Sequence, residues 1–349
     1  MGSFKKVEPK APKGELLGES KHGYLIDCRI NDSFEAVNKY CKLGIVVKRF
    51  TEPVKVGDVT YPAGMFHVSG VEKKLKQVAQ STHLKLIPLD KELKVEFKEI
   101  KPLRVAMYQR YWGGNMDEGW TRWLLEQFDF DYTTVMDEQV KSGLEDYDVL
   151  ILPSDPPALI TGEKVEEYYE KRYKGAYAAP VLPDKYKSGI GEEGVEKINE
   201  FIENGGTVIA LYDSCEFAIE KLGIPVRNTL KEIDPKKFHC PGSTIHVNID
   251  NNHPLGYGMP EKGLILLRGN HAYAVKGNHN NDYYKVVVSY PEENMMQSGW
   301  LIGEQHLARK AALIEAKKND GKVIIYGFQP QNRALTDASF KLFFNALLG

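Results

Sequence analysis

The segment Thr207–Lys221, TVIALYDSCEFAIEK, places a cysteine where an enzyme could use a thiolate. Its apolar first part predicts a buried strand, and the residues that follow predict a helix beginning close to Cys215. A helix N-terminus lowers the pKa of a thiol, and the strand end would border the ligand crevice of an open α/β sheet. However, Cys215 lies about three residues past the place of a nucleophile elbow. Two interpretations stay open, a nucleophilic Cys215 and an unreactive buried cysteine, and we favour the second.

A cysteine nucleophile also needs a base, normally a histidine that a carboxylate orients. His271 and His239 are the histidines we consider for that role. Near the C-terminus, the letters GFQPQ put Gln329 and Gln331 at the end of another predicted strand. An amide has no useful basicity near neutral pH, but it donates two hydrogen bonds and accepts others. These glutamines are therefore expected to bind a ligand rather than to move a proton.

A third group of polar residues belongs to the stretch NMDEGWTRWLLEQF, which predicts a helix after the first strand of the large domain. Its polar residues would border the same crevice. Trp120 and Trp123 are three positions apart on one helix face, and we expect at least one of them in the core. Aromatic residues with a few charges suit a small polar or peptide ligand. The ligand-binding candidates are Asp117, Glu118, Arg122, Asp213, Ser214, Cys215, Gln329, Gln331 and Arg333.

Motifs for the common cofactors and metals are missing from the sequence. It has no CxxC pair, no HExxH, no phosphate loop and no GxSxG. The letters GIGEEG at Gly189–Gly194 satisfy GxGxxG, but no strand is predicted before them, so we interpret them as a helix entry. We therefore expect neither a metal ion nor a cofactor in this chain.

Composition and charge exclude several classes of protein. The 349 residues carry a formal net charge of -2, which gives no electrostatic reason to expect nucleic acid binding. No apolar run approaches the roughly 20 residues that span a bilayer, so we expect a soluble protein without a membrane span. The four cysteines form no disulfide framework that would fix the compartment. The oligomeric state also stays open.

Three regions follow one another along the chain. Residues 1–20 are expected to be a flexible lead-in whose MGS start is the remnant of a tag. Residues 21–100 predict a small α+β domain with the order β-α-β-β-α-β, similar to a ferredoxin-like fold. Residues 101–349 predict an α/β domain with a parallel sheet, a surface insertion at 155–188 and, from about Asn228, an antiparallel extension. The letters TDASFKLFFNALL near the end of the sequence predict a capped amphipathic helix.

Several long motifs together resemble one protein family. They include MDEGWTRWLLEQF, YDVLILP, GIGEEGVEKINEFIENGGTVIAL, FHCPGS, HPLGYGMP and SGWLIGEQHLARKAALIE. The chain, over roughly residues 20–349, resembles the C-terminal region of bacterial carboxypeptidase A-like zinc metallopeptidase family proteins. The resemblance implies a flavodoxin-like, class I glutamine amidotransferase-like domain after a small connecting domain. It also implies that the zinc belongs to a peptidase domain upstream, and that the parent protein is secreted or periplasmic.

The resemblance further implies that amidotransferase chemistry is lost. Amidotransferases of this class end a strand with Phe-His-Pro-Glu, where this chain has Phe328-Gln329-Pro330-Gln331. Where they have Gly-x-Cys-x-Gly, the strand end offers Tyr212-Asp213-Ser214. We expect a pseudoenzyme, an accessory region that binds substrate or partner or supports the upstream peptidase domain. The alternatives are a hydrolase or amidase that uses Cys215 and a structural or oligomerisation module.

Overall fold

The computed structural model describes residues 5–275 and 283–348. The MGS start of the expected lead-in falls outside these residues. The chain separates into two compact units, Met1–Pro102 and Leu103–Gly349. Within the described residues, none of the helices combines the length and the apolar character that crossing a membrane requires.

The first unit contains one six-stranded sheet, a short hairpin and two helices. The strands are β1 (Glu15–Leu16), β2 (Tyr24–Ile26), β3 (Val47–Phe50), β4 (Val54–Val56), β5 (Val59–Tyr61), β6 (Phe66–Val68), β7 (Lys85–Pro88) and β8 (Phe97–Glu99). The helices are α1 (Asp32–Lys42) and α2 (Glu72–Ser81). The sheet order is β1-β7-β2-β6-β3-β8, and β4 pairs with β5 alone. The succession β2-α1-β3-β6-α2-β7 confirms the ferredoxin-like α+β unit.

The edges of this small sheet differ from the sequence prediction. Glu15 and Leu16, which we expected in the flexible lead-in, pair in parallel with Lys85 and Leu86. At the other edge, Phe97–Glu99 forms a strand that the predicted order β-α-β-β-α-β does not include, and this strand pairs with β3. Both segments are short and polar, so their sequences carry no strand periodicity, and pairing with an existing edge decides their structure.

The second unit has a mixed sheet whose parallel part comes first in the chain. Its strands are β9 (Val105–Tyr108), β10 (Thr133–Val135), β11 (Val149–Leu152), β12 (Thr207–Leu211), β13 (Val226–Asn228), β14 (Ser243–Ile249), β15 (Lys262–Leu267), β16 (Tyr273–Val275), β17 (Tyr284–Ser289), β18 (Met296–Ser298), β19 (Ala311–Lys318) and β20 (Gly321–Tyr326). Its helices are α3 (Met116–Gln127), α4 (Asp137–Ser142), α5 (Pro157–Thr161), α6 (Val165–Tyr173), α7 (Gly191–Glu203), α8 (Ser214–Lys221) and α9 (Phe340–Phe344).

The parallel part of the sheet has the order β10-β9-β11-β12-β20. This is the 2-1-3-4-5 order of the flavodoxin-like fold. Every residue of β11 and of β12 is buried, which is typical of a parallel sheet covered by helices on both faces. The sheet continues in antiparallel fashion through β19, β17, β14 and β15, which confirms the predicted extension.

The insertion at 155–188 carries α5 and α6 and is tied to the sheet by one buried carboxylate. Asp137 accepts hydrogen bonds from the Tyr108 hydroxyl at 2.7 Å and from the Ser188 hydroxyl at 3.0 Å. It also accepts one from the backbone N–H of Gly189 at 2.9 Å. These bonds fix the end of the insertion, so the approach to α7 is held in place although no strand precedes that helix.

Two details of the second unit correct the sequence prediction. Trp120 and Trp123 are 37% and 43% exposed, so neither is the core residue that we expected. The buried face of α3 includes Thr121, Leu124 and Leu125, which recur at helical spacing, and the tryptophan pair lies beside that face. The closing segment is also no single regular helix, because α9 is flanked by 3₁₀ turns on both sides.

Candidate functional site: a cleft at the strand ends

The carboxyl ends of β9, β11, β12 and β20 meet at one edge of the parallel sheet. Ligands of open α/β sheets bind at this edge because the loops after the strands diverge there. A cleft of about 780 Å³ opens at the ends of β11, β12 and β20. Its polar and aromatic lining includes Ser154, Tyr168, Arg172, Tyr212, Asp213, His239, Arg268, Asn270 and Gln329.

Tyr212 occupies the first position after β12, where the strand turns sharply into α8. Its φ of +50° lies in the left-handed region, which is unusual for a bulky residue and costs conformational free energy. The tyrosine ring packs against the ring of His271, with centroids 4.2 Å apart. The sharp turn therefore presents a phenol to the cleft, and Tyr212 was not among our site candidates.

Cys215 lies in the core rather than in the cleft. Its inclusion among the ligand-binding candidates, and as a weak catalytic candidate, is therefore corrected. Its side chain is 0% exposed. The thiol donates toward the backbone carbonyl oxygens of Ala210 at 3.3 Å and Tyr326 at 3.2 Å. Burial raises the pKa of this thiol well above its usual range, so the thiolate is disfavoured. The strand turns one residue after Leu211, and Cys215 falls on the inner face of α8.

Ser214 is also buried and links two strand ends. Its hydroxyl donates a hydrogen bond of 2.5 Å to the carbonyl oxygen of Pro153 and accepts one of 3.0 Å from the N–H of Asp155. The carboxylate of Asp155 forms an ion pair of 2.7 Å with Arg110. Ser214 thus fixes the loop after β11. It is buried and is not one of the residues that line the cleft.

Asp117 stands at the centre of the polar network between α3 and the end of β20. The side-chain amide of Gln329 donates to it at 2.6 Å, and that of Gln331 donates at 3.2 and 3.3 Å. The N–H of Ser154 adds a bond of 2.8 Å. Burial raises the pKa of Asp117 to about 6, against the opposing effect of these donors. Gln331 also donates to Thr121 at 2.9 Å, so its N–H groups are engaged inside the protein, while its Oε1 is buried without a hydrogen-bond partner among the described residues.

The remaining candidates on α3 and after β20 do not line the cleft. Glu118 is 1% exposed and pairs with Arg122 at 3.4 Å on the same helix. Burial raises the pKa of Glu118, and Arg122 lowers it. Arg333 is exposed on the turn beyond β20. Of our nine candidates, Asp213 and Gln329 line the cleft. Asp117 does not line it, but it accepts a hydrogen bond from the side-chain amide of Gln329.

Asp213 and the two histidines considered as bases lie at or beside the cleft. Nε2 of His271 is 3.1 Å from the Asp213 carboxylate, and its Nδ1 is 3.2 Å from the hydroxyl of Tyr273. His271 is therefore engaged at both nitrogens. His239 lines the cleft and packs edge-on against Trp300. Within the described residues, no hydrogen bond joins either histidine to the sulfur of Cys215.

Most of the cleft lining comes from the insertion and the antiparallel extension, and among these lining residues His239 alone had been considered. Tyr168 and Arg172 belong to α6 of the insertion, while Arg268 and Asn270 follow β15 of the antiparallel extension. The spacing from these residues to the strand ends is long and irregular, so no motif connects them. Over the ranges 5–275 and 283–348, no group of three histidine, cysteine, aspartate or glutamate residues is placed to hold a metal ion.

Comparisons with known proteins give likenesses of fold only. No family model and no curated protein sequence matches the chain. Among solved structures, the chain is similar to PurLQS from Thermotoga maritima, with 16% identity, a TM-score of 0.44, and coverage of 70% of this chain and 98% of that one. A glutamine amidotransferase from Thermotoga maritima gives 9% identity, a TM-score of 0.39, and coverage of 70% and 85%. A β-galactosidase from Bacillus circulans sp. alkalophilus gives 12% identity, a TM-score of 0.37, and coverage of 70% and 31%.

At these identities and TM-scores the likenesses carry no statement about chemistry. The flavodoxin-like topology stands on the strand order of the second unit itself. The resemblance to the carboxypeptidase-like family is not supported by these comparisons and stays a prediction.

Proposed function

We propose that the large unit is a non-catalytic binding domain whose strand-end cleft holds a small polar or peptide ligand. The observation that carries this proposal is the pairing of the Gln329 and Gln331 amides with the buried carboxylate of Asp117. These amides stand at the end of β20, where a proton-transferring pair would be needed. Their N–H groups bond to Asp117, and Gln329 itself lines the cleft.

The position of the thiol supports the same proposal. A cysteine nucleophile has to reach the ligand as a thiolate, whereas Cys215 is fully buried with a raised pKa. The turn position after β12 holds Tyr212, whose pKa burial also raises, so its phenol serves as a hydrogen-bond donor. No observation favours the Cys215-dependent hydrolase, and we do not carry that alternative further.

The lining of the cleft favours a polar ligand. It combines the phenols of Tyr168 and Tyr212 with the amides of Asn270 and Gln329 and the carboxylate of Asp213. Aromatic faces give contact area, and the polar groups fix the orientation of a ligand. In the parent protein this domain would bind substrate or support an upstream zinc peptidase domain, as the family resemblance implies.

The test is a ligand screen with a variant inside the cleft and a matched variant outside it. Free amino acids, N-acetylated dipeptides and neutral monosaccharides are screened by thermal shift, because a ligand of the native state raises Tm. The affinity of each stabilising compound is then measured by calorimetry for the native protein, Tyr168→Ala and Tyr173→Ala. Tyr168 lines the cleft, while Tyr173 lies on the same helix outside the lining.

We expect the Tyr168 substitution to weaken binding and the Tyr173 substitution to leave it unchanged. Stabilising compounds that bind all three proteins alike would contradict the proposal, since they would bind elsewhere. A panel in which no compound raises Tm would also count against it.

A further inference from the structure

Two arginines that no motif pointed to face the cleft from opposite parts of the chain. Arg172 lies on α6 of the insertion, and Arg268 follows β15 of the antiparallel extension. Both are exposed, and neither forms a hydrogen bond or an ion pair with another residue in the described part of the chain. In a protein with a formal net charge of -2, two unpaired guanidinium groups in one cleft are a local concentration of positive charge.

Tyr212 lines the same cleft as the two arginines. Burial raises the pKa of the Tyr212 phenol, and Arg268 and Arg172 act in the opposite direction. Both charges therefore act on the same hydroxyl, which keeps its proton and can donate a hydrogen bond to a ligand. Tyr212 is held in place by its strained backbone and by the ring of His271.

The acidic group of the cleft is already engaged. Asp213 is the one acidic residue among the described residues that line the cleft. Its side chain is 47% exposed, and its Oδ1 lies 3.1 Å from Nε2 of His271. Neither arginine forms an ion pair with it in the described residues, and the two guanidinium groups outnumber this one carboxylate, so these charged lining residues leave a net positive charge.

We propose that the cleft selects ligands that carry an oxyanion, a carboxylate or a phosphate, which Arg172 and Arg268 hold together with the Tyr212 hydroxyl. A guanidinium group presents a planar fork of N–H donors that matches the two oxygens of a carboxylate or phosphate. The anion would join the insertion to the antiparallel extension across the mouth of the cleft. This inference rests on the proposed binding function and names the chemical class of the ligand.

Paired probes separate the oxyanion from the rest of the ligand. N-acetyl-dialanine is compared with its C-terminal amide, and glycerol 3-phosphate is compared with glycerol, by calorimetry at low and at moderate salt. We expect each anionic probe to bind at least about tenfold more tightly than its neutral partner, because charge-assisted hydrogen bonds are stronger than neutral ones. The preference should shrink as salt rises, since the arginines are exposed. A preference for only one of the two anionic probes identifies the carboxylate or the phosphate as the group recognised.

Four variants test which residues give this preference. Arg268→Gln and Arg172→Gln should each remove most of it, and Arg268→Lys should retain only part, because an ammonium group lacks the planar fork. Arg227→Gln makes the same change of charge on the exposed face of β13, outside the cleft, and should bind like the native protein. Thermal unfolding of each variant shows whether it is folded; these are exposed positions, so we expect Tm to be retained.

The outcomes distinguish this inference from the function on which it rests. If neutral compounds bind in a manner that depends on Tyr168, while anionic and neutral partners bind alike, the oxyanion inference is wrong and the binding function stands. If the glutamine variants keep the full preference of the native protein, the two arginines are not its source and the inference fails. If neither anionic nor neutral probes bind, both proposals fail.

Discussion

The side-chain amide of Gln329 donates a hydrogen bond of 2.6 Å to the carboxylate of Asp117, 212 positions away in the sequence. This bond joins the end of β20 to the first turn of α3, and Gln331 adds a second amide to the same carboxylate. The two glutamines thus have a structural partner. Both glutamines act as hydrogen-bond donors to Asp117, and an amide hydrogen bond to a buried carboxylate lowers the free energy of its charged form.

Gln331→Glu should destabilise the protein strongly at neutral pH. The new carboxylate would lie against buried Asp117, and two like charges in a buried site cannot both ionise without a large cost. We expect a loss of about 3 kcal/mol or more in the free energy of unfolding, measured by urea denaturation at pH 7. The loss should become smaller at lower pH, where the two carboxyl groups share a proton.

The matched control for this substitution is Gln127→Glu, at an exposed position of α3, the helix that carries Asp117. It makes the same chemical change and should alter stability by roughly 0.5 kcal/mol or less. Equal effects of the two substitutions, or an effect at Gln331 that does not depend on pH, would show that Asp117 is not its neighbour.

The raised pKa of Asp117 predicts a pH dependence of stability. Its pKa rises from 3.8 to about 6 on folding, so the folded state binds the proton more tightly than the unfolded state. The resulting contribution to stability is fully present below pH ~4 and is lost as pH rises through about 6. A shift of this size corresponds to a contribution on the order of 3 kcal/mol.

Asp117→Asn isolates this contribution because the other titrating groups are common to both proteins. The difference in unfolding free energy between Asp117→Asn and the native protein should change in favour of the variant as pH rises from 4 to 7. Asp146→Asn, at an exposed position, should show no such trend. A difference for Asp117→Asn that stays constant over this range would mean that the carboxyl has its ordinary pKa in the folded protein.

Removal of the Ser214 hydroxyl should cost more than its small size suggests. In Ser214→Ala the carbonyl of Pro153 and the N–H of Asp155 both lose a buried partner. We expect a loss of about 1–3 kcal/mol in the free energy of unfolding. Ser142→Ala removes an exposed hydroxyl that bonds within its own helix turn and serves as the control, with a loss of roughly 0.5 kcal/mol or less. Similar losses in both variants would contradict a buried role for Ser214.

The sequence predicted the parallel sheet well because its strands are continuous apolar runs between helices of clear periodicity. The strand β12 and the helix α8 illustrate this, since Val208 and Leu211 are core residues and Lys221 closes the helix. The same reasoning predicted that the polar residues after β12 and β20 would meet. Periodicity could not show that the chain turns at Tyr212, because a positive φ at a tyrosine has no sequence signal.

Only the smaller part of the cleft lining was predictable from the sequence. Asp213 and Gln329 follow strands of the parallel sheet, whose carboxyl ends always meet at one edge. Arg172 and Arg268 come from an insertion and from an antiparallel extension, whose placement depends on tertiary contacts such as those of Asp137. The burial of Cys215 was likewise decided by the helix face on which it falls, and a shift of one residue in the turn would change that face.

Native-state alkylation compares Cys215 with a more accessible cysteine in the same molecule. Cys41 is partly exposed, whereas Cys28, Cys215 and Cys240 are buried. The protein is treated with iodoacetamide at neutral pH, and the modification of each cysteine is followed by mass spectrometry, with the urea-unfolded protein as the reference for full reactivity. Comparing the native and unfolded rates at each site corrects for differences in intrinsic reactivity.

The central claim is that the cleft binds without a thiol nucleophile, and the labelling rate of Cys215 tests it most directly. The account predicts that native Cys215 stays unmodified while Cys41 reacts, and that Cys215 reacts only after unfolding. A native Cys215 that reacts faster than Cys41, and does so already in mildly acidic solution, would place a reactive thiolate in the cleft and contradict the account.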